Sequence, residues 1–491
     1  MKSHIMDSKS TKKRDLSKYF LPDIRQARKR IKKADIIKDG FEIPANIINY
    51  GEGKTYHIKT FGCQSNLRDT EVMMGMLELI GYEYNEDVNT SDLVLLNTCA
   101  VREHAESKVF ADIGILDRIK KSNPNFIFGV CGCMAQEEAV VNRILKSNFN
   151  VDFIFGTHNV HRILNLLEQV IFEKNLVVEV WSHEGNVIEN LPSKRTNNLK
   201  GFVNVMYGCD KFCTYCIVPM TRGKIRSRRK EDILDEVHQM ISEGYKEVTL
   251  IGQNVNSYGI DFDNGENYLF NNLLEDVAKT GIERVRFTTS NPWNFTRSIV
   301  DTMKKYPNIM PHIHLPIQSG DETILKKMNR PMKIGDYIDL VDYIRANIPN
   351  CSITTDLIVG FPNETKEQFN KTLELYKRIE FDNAFTFIYS KRDGTVAAII
   401  PDEIPLSEKK ERLQELNEMV KTFSKKNNEK YVNKVLDVLV DGPSKKDKTV
   451  ISGYSPQWKV VNFTGSAKSG EIVKVLITSA SRFTLNGKMI D

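Results

Sequence analysis

The chain has 491 residues, 41% of them apolar, and carries 69 basic against 64 acidic side chains for a net charge of +5. That length allows about three domains, no apolar run approaches the length of a membrane span, and the mild positive charge permits a nucleic-acid partner without requiring one. Eight cysteines with no leading signal peptide exclude a secreted disulfide scaffold and point to a cytoplasmic protein whose thiols stay free to act as ligands.

Residues 1–53 read as a basic extension, with Lys12-Lys13-Arg14, Arg28-Lys29-Arg30 and Lys32-Lys33. A flexible, solvated tail is the expectation, ahead of an arm that touches RNA phosphates. Residues 54–185 then repeat a strand–loop–helix pattern, which predicts an open parallel α/β sheet. Strands are expected at Tyr56–Thr60, Leu93–Leu96 and Asn125–Val130, with helices over Asp69–Ile80, from Glu103 and over Gln136–Leu145. Cys63, Cys99 and Cys133 each fall just past a strand's C-terminal end, the edge where open α/β sheets bind ligands. Three thiols at three successive strand ends favour an iron–sulfur site over buried structural cysteines. Cys131 lies two residues before Cys133, and strand alternation allows either to face the site. Cys133 sits further out, in the loop that opens the helix, and is preferred.

Residues 186–200 are polar and read as a linker. Residues 201–425 hold a second α/β run. Its strands are expected at Phe202–Val205, Val248–Ile251, Val285–Thr288, Ile313–Pro316, Ile353–Val359 and Ala384–Tyr389, with amphipathic stretches between them. Six strands, each followed by a helix, predict a partial (β/α)6 barrel, with its reactive groups at the C-terminal strand ends. The loop after the first of these strands contains Cys209-x-x-x-Cys213-x-x-Cys216. Three thiolates packed so closely suit a cubane that keeps one iron open for a small molecule. A structural zinc site would need a fourth ligand, and the next cysteine is the isolated Cys351. The basic loop that follows, Arg222, Lys224, Arg226, Arg228 and Arg229, is a candidate RNA contact. Residues 426–491 change to short strands between turns, expected at Val435–Val440, Trp458–Phe463, Glu471–Ile477 and Phe483–Leu485. They predict a small antiparallel β-barrel whose Lys445, Lys446, Lys448, Lys459, Lys468, Lys474, Arg482 and Lys488 supply phosphate-binding charge.

From about Tyr56 to Ile490 the chain resembles the radical SAM methylthiotransferase family, and within it the tRNA-2-methylthio-N6-dimethylallyladenosine synthases (the MiaB family). The resemblance rests on Thr60-Phe61-Gly62-Cys63-Gln64-Ser65-Asn66, where the usual motif has Met at the place of Ser65, and on Asn97-Thr98-Cys99-Ala100-Val101-Arg102-Glu103. Gly132-Cys133-Met134-Ala135-Gln136 and Cys216-Ile217-Val218-Pro219 followed by Thr221-Arg222-Gly223 complete it. It implies that Cys63, Cys99 and Cys133 hold an auxiliary 4Fe-4S cluster, and that Cys209, Cys213 and Cys216 hold the 4Fe-4S cluster that cleaves S-adenosylmethionine (SAM). It further implies SAM contacts at Gln253 and Asn254 after the second barrel strand, Gln318 and Ser319 after the fourth, and Asp356 in the fifth-strand motif. The last sixty or so residues are similar to a TRAM domain, an RNA-binding barrel.

The implied reaction is methylthiolation at C2 of N6-dimethylallyladenosine, at position 37 beside the anticodon, with two SAM molecules consumed per turnover. That aryl C–H bond is neither acidic nor electrophilic, so acid–base chemistry cannot break it and a cofactor radical is needed. The implied partners are the tRNA anticodon stem-loop and an electron donor such as flavodoxin or ferredoxin, with no membrane. Alternatives within the group are methylthiolation of N6-threonylcarbamoyladenosine in tRNA, or of an aspartate in a ribosomal protein.

Overall fold

A computed structural model describes residues 4–6, 35–100, 103–181, 185–262, 267–445 and 447–490. The basic runs between Lys12 and Lys33, Val101, Arg102 and Lys446 lie outside the described residues. The chain divides into two units. The first comprises Met1–Thr196, Met206–Arg228 and Ser390–Ala398, and the second Asn197–Val205, Arg229–Tyr389 and Ile399–Asp491.

In the first unit, strands β1 (Thr55–Thr60), β2 (Glu83–Tyr84), β3 (Leu93–Thr98), β4 (Ile127–Gly132), β5 (Phe153–Phe155) and β6 (Leu176–Glu179) form a parallel sheet in the order β6-β5-β4-β3-β1-β2. His4–Met6 adds antiparallel to β6. Helices α1 (Gln64–Leu79), α2 (Glu103–Ser122), α3 (Glu138–Lys146) and α4 (Ile163–Glu173) connect the strands. All six positions of β3 are buried, because this central strand is covered on both faces. Its alternation sends Leu93 and Leu95 into one core with Met73 and Phe153, and Val94 and Leu96 into a second with Phe128 and Ile113.

Three features depart from expectation. Helix α1 begins at Gln64, directly after Cys63, rather than at Asp69; its first turn is polar, and hydrophobic spacing cannot register it. Residues 35–53, expected to be flexible, are anchored. Ile36–Lys38 pairs with Val187–Glu189, and Ile47 is fully buried in the core. The expected linker lies against α1: Lys194 N–H donates to the Glu71 carbonyl, and the Ser193 backbone sits so close to Gly75 that an added Cβ would meet it at 2.5 Å.

The second unit contains parallel strands β7 (Lys200–Asn204), β8 (Glu247–Ile251) and β9 (Arg284–Phe287), then β10 (His312–His314), β11 (Ser352–Val359) and β12 (Asn383–Ile388). A parallel bridge between Val285 and Ile309 joins the two groups into one open half-barrel. Helices α5 (Lys230–Ser242), α6 (Phe270–Lys279), α7 (Arg297–Lys305), α8 (Glu322–Lys327), α9 (Ile334–Asn347) and α10 (Lys366–Ile379) follow the strands, and α11 (Leu406–Glu429) leads to the C-terminal barrel.

That barrel closes in the order β13 (Val435–Pro443), β14 (Ile451–Tyr454), β15 (Val460–Thr464), β17 (Thr484–Met489), β16 (Ile472–Ala480). Strand β14 was not expected from the sequence; it is short and contains Ser452 and Gly453. All pairs are antiparallel except β15–β17. A closed ring of five strands cannot alternate direction at every step, so one parallel pair is obligatory. Val438, Val440, Val461, Phe463, Val475, Ile477 and Leu485 fill its interior. The half-barrel and this barrel are joined through buried arginines. Arg284 donates to the Tyr454 and Asp437 carbonyls, Arg286 to those of Ser455 and Pro456, and Arg286 pairs with Glu247 at 2.8 Å. Among the described residues no helix is long and apolar enough to cross a membrane.

Candidate metal centres and nucleoside site

Cys63, Cys99 and Cys133 sit at the C-terminal ends of β1, β3 and β4, three neighbouring strands. Gly62 (φ +118°) brings the first two together: a Cβ at this position would fall 2.7 Å from Cys99 Cβ and 3.1 Å from its Sγ. Asn66, fully buried on the first turn of α1, ties the set. Its Oδ1 accepts from Cys63 Sγ at 3.5 Å and lies 3.9 Å from Cys133 Sγ; its Nδ2 donates to the Thr98 carbonyl at 2.7 Å, one residue before Cys99. Burial pushes the Cys133 thiol up to about 12, with Arg222 acting against the shift and neighbouring Cys99 and Cys63 adding to it. Cys131 belongs elsewhere: its thiol meets Met73 Sδ at 3.8 Å within the apolar core, whereas Cys133 packs with Ala100 and Ile217. Of the two thiols, Cys133 is the one that lies beside Cys63 and Cys99.

Cys209, Cys213 and Cys216 lie on a turn closed by the Cys209 N–H to Gly223 carbonyl bond at 3.0 Å and the Cys216 N–H to Cys213 carbonyl bond at 3.0 Å. Gly208 (φ +75°) is required there, since a Cβ would stand 2.0 Å from the Lys224 carbonyl oxygen. Asp210 Oδ1 accepts the Ile225 N–H, pinning the loop to its return strand. Burial pushes the Cys209 thiol up to about 12. Each set thus offers three thiols. Among the described residues, no three Cys, His, Asp or Glu side chains converge on a point that a single ion would occupy. A cubane differs from a single ion in that each thiolate binds its own iron, so spaced sulfurs fit the larger group.

In the second unit the strand ends hold unpartnered polar atoms. Asn254 Oδ1, beyond β8, and Ser290 Oγ and Asn291 Oδ1, beyond the adjacent β9, are buried with no hydrogen-bond partner. Buried polar atoms ordinarily find partners, and three orphans at adjacent strand ends suit a polar ligand. Ser290 and Asn291 carried no sequence signal. Gln253 is half-buried, and Gln318 (φ +76°) bridges to β11 through its backbone. Asp356 is half-buried on β11, its Oδ1 3.5 Å from His314 Nε2. Ser319 is fully buried, and its hydroxyl accepts the Asp321 N–H at 3.2 Å at the start of α8.

The basic loop is spent internally. Arg222 pairs with Asp69 at 2.6 Å, Arg228 with Glu189 at 2.6 Å and Arg229 with Asp232 at 2.8 Å, while Arg226 donates to the Gly185 carbonyl. Three of its five charges are thus paired with carboxylates. On the C-terminal barrel, Lys459 is likewise consumed by Asp382 at 2.8 Å. Lys445, Lys448, Lys468, Lys474 and Lys488 are exposed, as is Phe483 beside Arg482.

Residues 55–156 match an uncharacterized protein family, UPF0004; residues 203–376 match the radical SAM superfamily; residues 429–490 match the TRAM domain. The chain is similar to the tRNA-2-methylthio-N(6)-dimethylallyladenosine synthase of Staphylococcus saprophyticus, with 53% identity over 99% of this chain and 96% of that protein. It is similar to the protein of the same name from Staphylococcus aureus strain Newman, with 52% identity over 99% of this chain and 95% of that one. Among solved structures, the radical S-adenosylmethionine methyltransferase TsrM from Kitasatospora setae superposes with a TM-score of 0.52 at 14% identity, covering 70% of this chain and 75% of that one, a likeness of fold alone.

Proposed function

The chain belongs to the tRNA-2-methylthio-N(6)-dimethylallyladenosine synthase family, and from that membership we propose that it replaces the C2 hydrogen of N6-dimethylallyladenosine, beside the tRNA anticodon, with a methylthio group. It is a radical SAM enzyme, and the superfamily implies a 4Fe-4S cluster and SAM. Cys209, Cys213 and Cys216 would hold that cluster. An open-iron 4Fe-4S cluster supplies the electron that cleaves SAM to the hydrogen-abstracting radical an unactivated aryl C–H bond requires. Cys63, Cys99 and Cys133 would hold a second cluster, with two SAM molecules used per turnover. Asn254, Ser290 and Asn291 would accept hydrogen bonds from the methionyl ammonium, and Gln253, Gln318 and Asp356 would line the same ligand. The adenine must leave its stack to reach such a site, as single-stranded loop bases can. The exposed lysines of the C-terminal barrel would hold the RNA backbone. A cytoplasmic location and a small electron-transfer protein such as flavodoxin or ferredoxin as reductant complete the reading.

What carries it is the near-full-length match to synthases of this name, in a chain that presents two separate three-thiol sets. The basic tail surface favours RNA over a basic ribosomal protein as substrate. Mass spectrometry of tRNA nucleosides from cells lacking the protein is the test. N6-dimethylallyladenosine should accumulate as its 2-methylthio derivative disappears. Loss of methylthio-threonylcarbamoyladenosine instead would assign the sibling activity.

A further inference from the structure

Arg222 follows the Cys209–Cys216 run in the chain, yet its guanidinium lies among the other three thiols. Nε donates to Cys133 Sγ at 3.4 Å, and one terminal nitrogen donates to Asp69 Oδ2 at 2.6 Å and Asn66 Oδ1 at 3.1 Å. Its side chain is 5% exposed, too deep to greet an RNA phosphate. Burial works against its charge, but Asp69, Cys133 and Cys63 more than restore it. A planar fork that serves three acceptors at once is a task only arginine can perform. Hydrogen bonds to sulfur, and net charge, are the levers by which a protein sets an iron–sulfur potential.

We propose that Arg222 is a positioning residue for the auxiliary cluster, which orients the Cys133 thiolate through its Nε–H and holds a positive charge that raises the cluster's reduction potential, with Asp69 as the counter-charge that limits the rise. This rests on the reading that Cys63, Cys99 and Cys133 hold a cluster. It makes Arg222 a physical link from the loop of one thiol set to the ligands of the other.

The signs separate this role from that of a structural brace. Arg222→Met removes donor and charge and should shift the midpoint potential down. Asp69→Asn leaves the guanidinium unbalanced and should shift it up. Arg222→Lys keeps the charge and should fall between Met and wild type. A brace would lose thermal stability in all variants and move the potential in neither direction. The experiment is an EPR-monitored redox titration of the full-length protein carrying Cys209, Cys213 and Cys216→Ala, so that one signal remains, with iron counted in each variant. About four irons per chain in that background is the premise; no iron there would overturn the two-cluster reading itself. With iron retained, an unmoved potential in both Arg222→Met and Asp69→Asn overturns the proposal. If Arg222→Met holds no iron, Arg222→Gln, which keeps an amide donor and deletes the charge, decides by the same downward shift or its absence.

Discussion

Cys131 and Cys133 are two residues apart, yet one thiol packs on Met73 and the other meets Arg222. The alternation of a strand explains the first, and the positive φ of Gly132 (+88°) turns the chain out of the strand before the second. Cys131→Ser and Cys351→Ser should therefore leave the iron content of reconstituted protein unchanged, while Cys133→Ser should lose about half of it, judged against about eight irons in wild type. At the other site, Asn254→Ala should leave iron alone and weaken SAM binding. Losing an acceptor for a charged donor costs about 1.5–3 kcal/mol, or roughly 10- to 100-fold in Kd; calorimetry on the loaded protein would read it, and an unchanged Kd would place SAM elsewhere.

The elements that carry the thiols were legible because each is a short apolar strand followed by Cys and then a helix; Thr60 was found as a strand end from pattern alone, while the other two strands run on two residues past the expected Leu96 and Val130, to Thr98 and Gly132. The polar first turn of α1 was not legible, since Gln64, Ser65 and Asn66 leave no hydrophobic period to read. Nor was the role of Arg222, whose partner Asp69 lies 153 residues away in sequence and which reads, in a line of text, as one more basic residue. Tight turns can be tested directly. Gly62→Ala forces a Cβ into left-handed backbone against Cys99; strain and clash together should cost about 2–4 kcal/mol. The expected result is a lower melting temperature with loss of iron from the Cys63 set, and full iron at unchanged Tm would contradict the packing.

Across the whole molecule, the C-terminal barrel both packs on the half-barrel and carries the lysines proposed to hold RNA, and a simple truncation would confuse the two. Ending the chain at Glu429 strips the carbonyl partners from Arg284 and Arg286 and uncovers the face of the half-barrel that they occupy, so such a protein should melt early whatever its RNA affinity. Lys468, Lys474 and Lys488→Glu instead touches only exposed positions. It should keep Tm, weaken tRNA binding and cut the log–log salt slope by roughly two to three units, at about 0.7–0.9 per phosphate contact. An unaltered slope would make this surface a bystander. The first unit is discontinuous, since Met206–Arg228 and the distant Ser390–Ala398 join Met1–Thr196. On a ribosome adding about 5–20 residues per second, the stretch from Cys133 to Arg222 takes on the order of 5 to 20 seconds to appear. During that interval all three thiols of the first set have been made while the guanidinium that meets Cys133 Sγ has not, so the arginine is the last part of this arrangement to be synthesised.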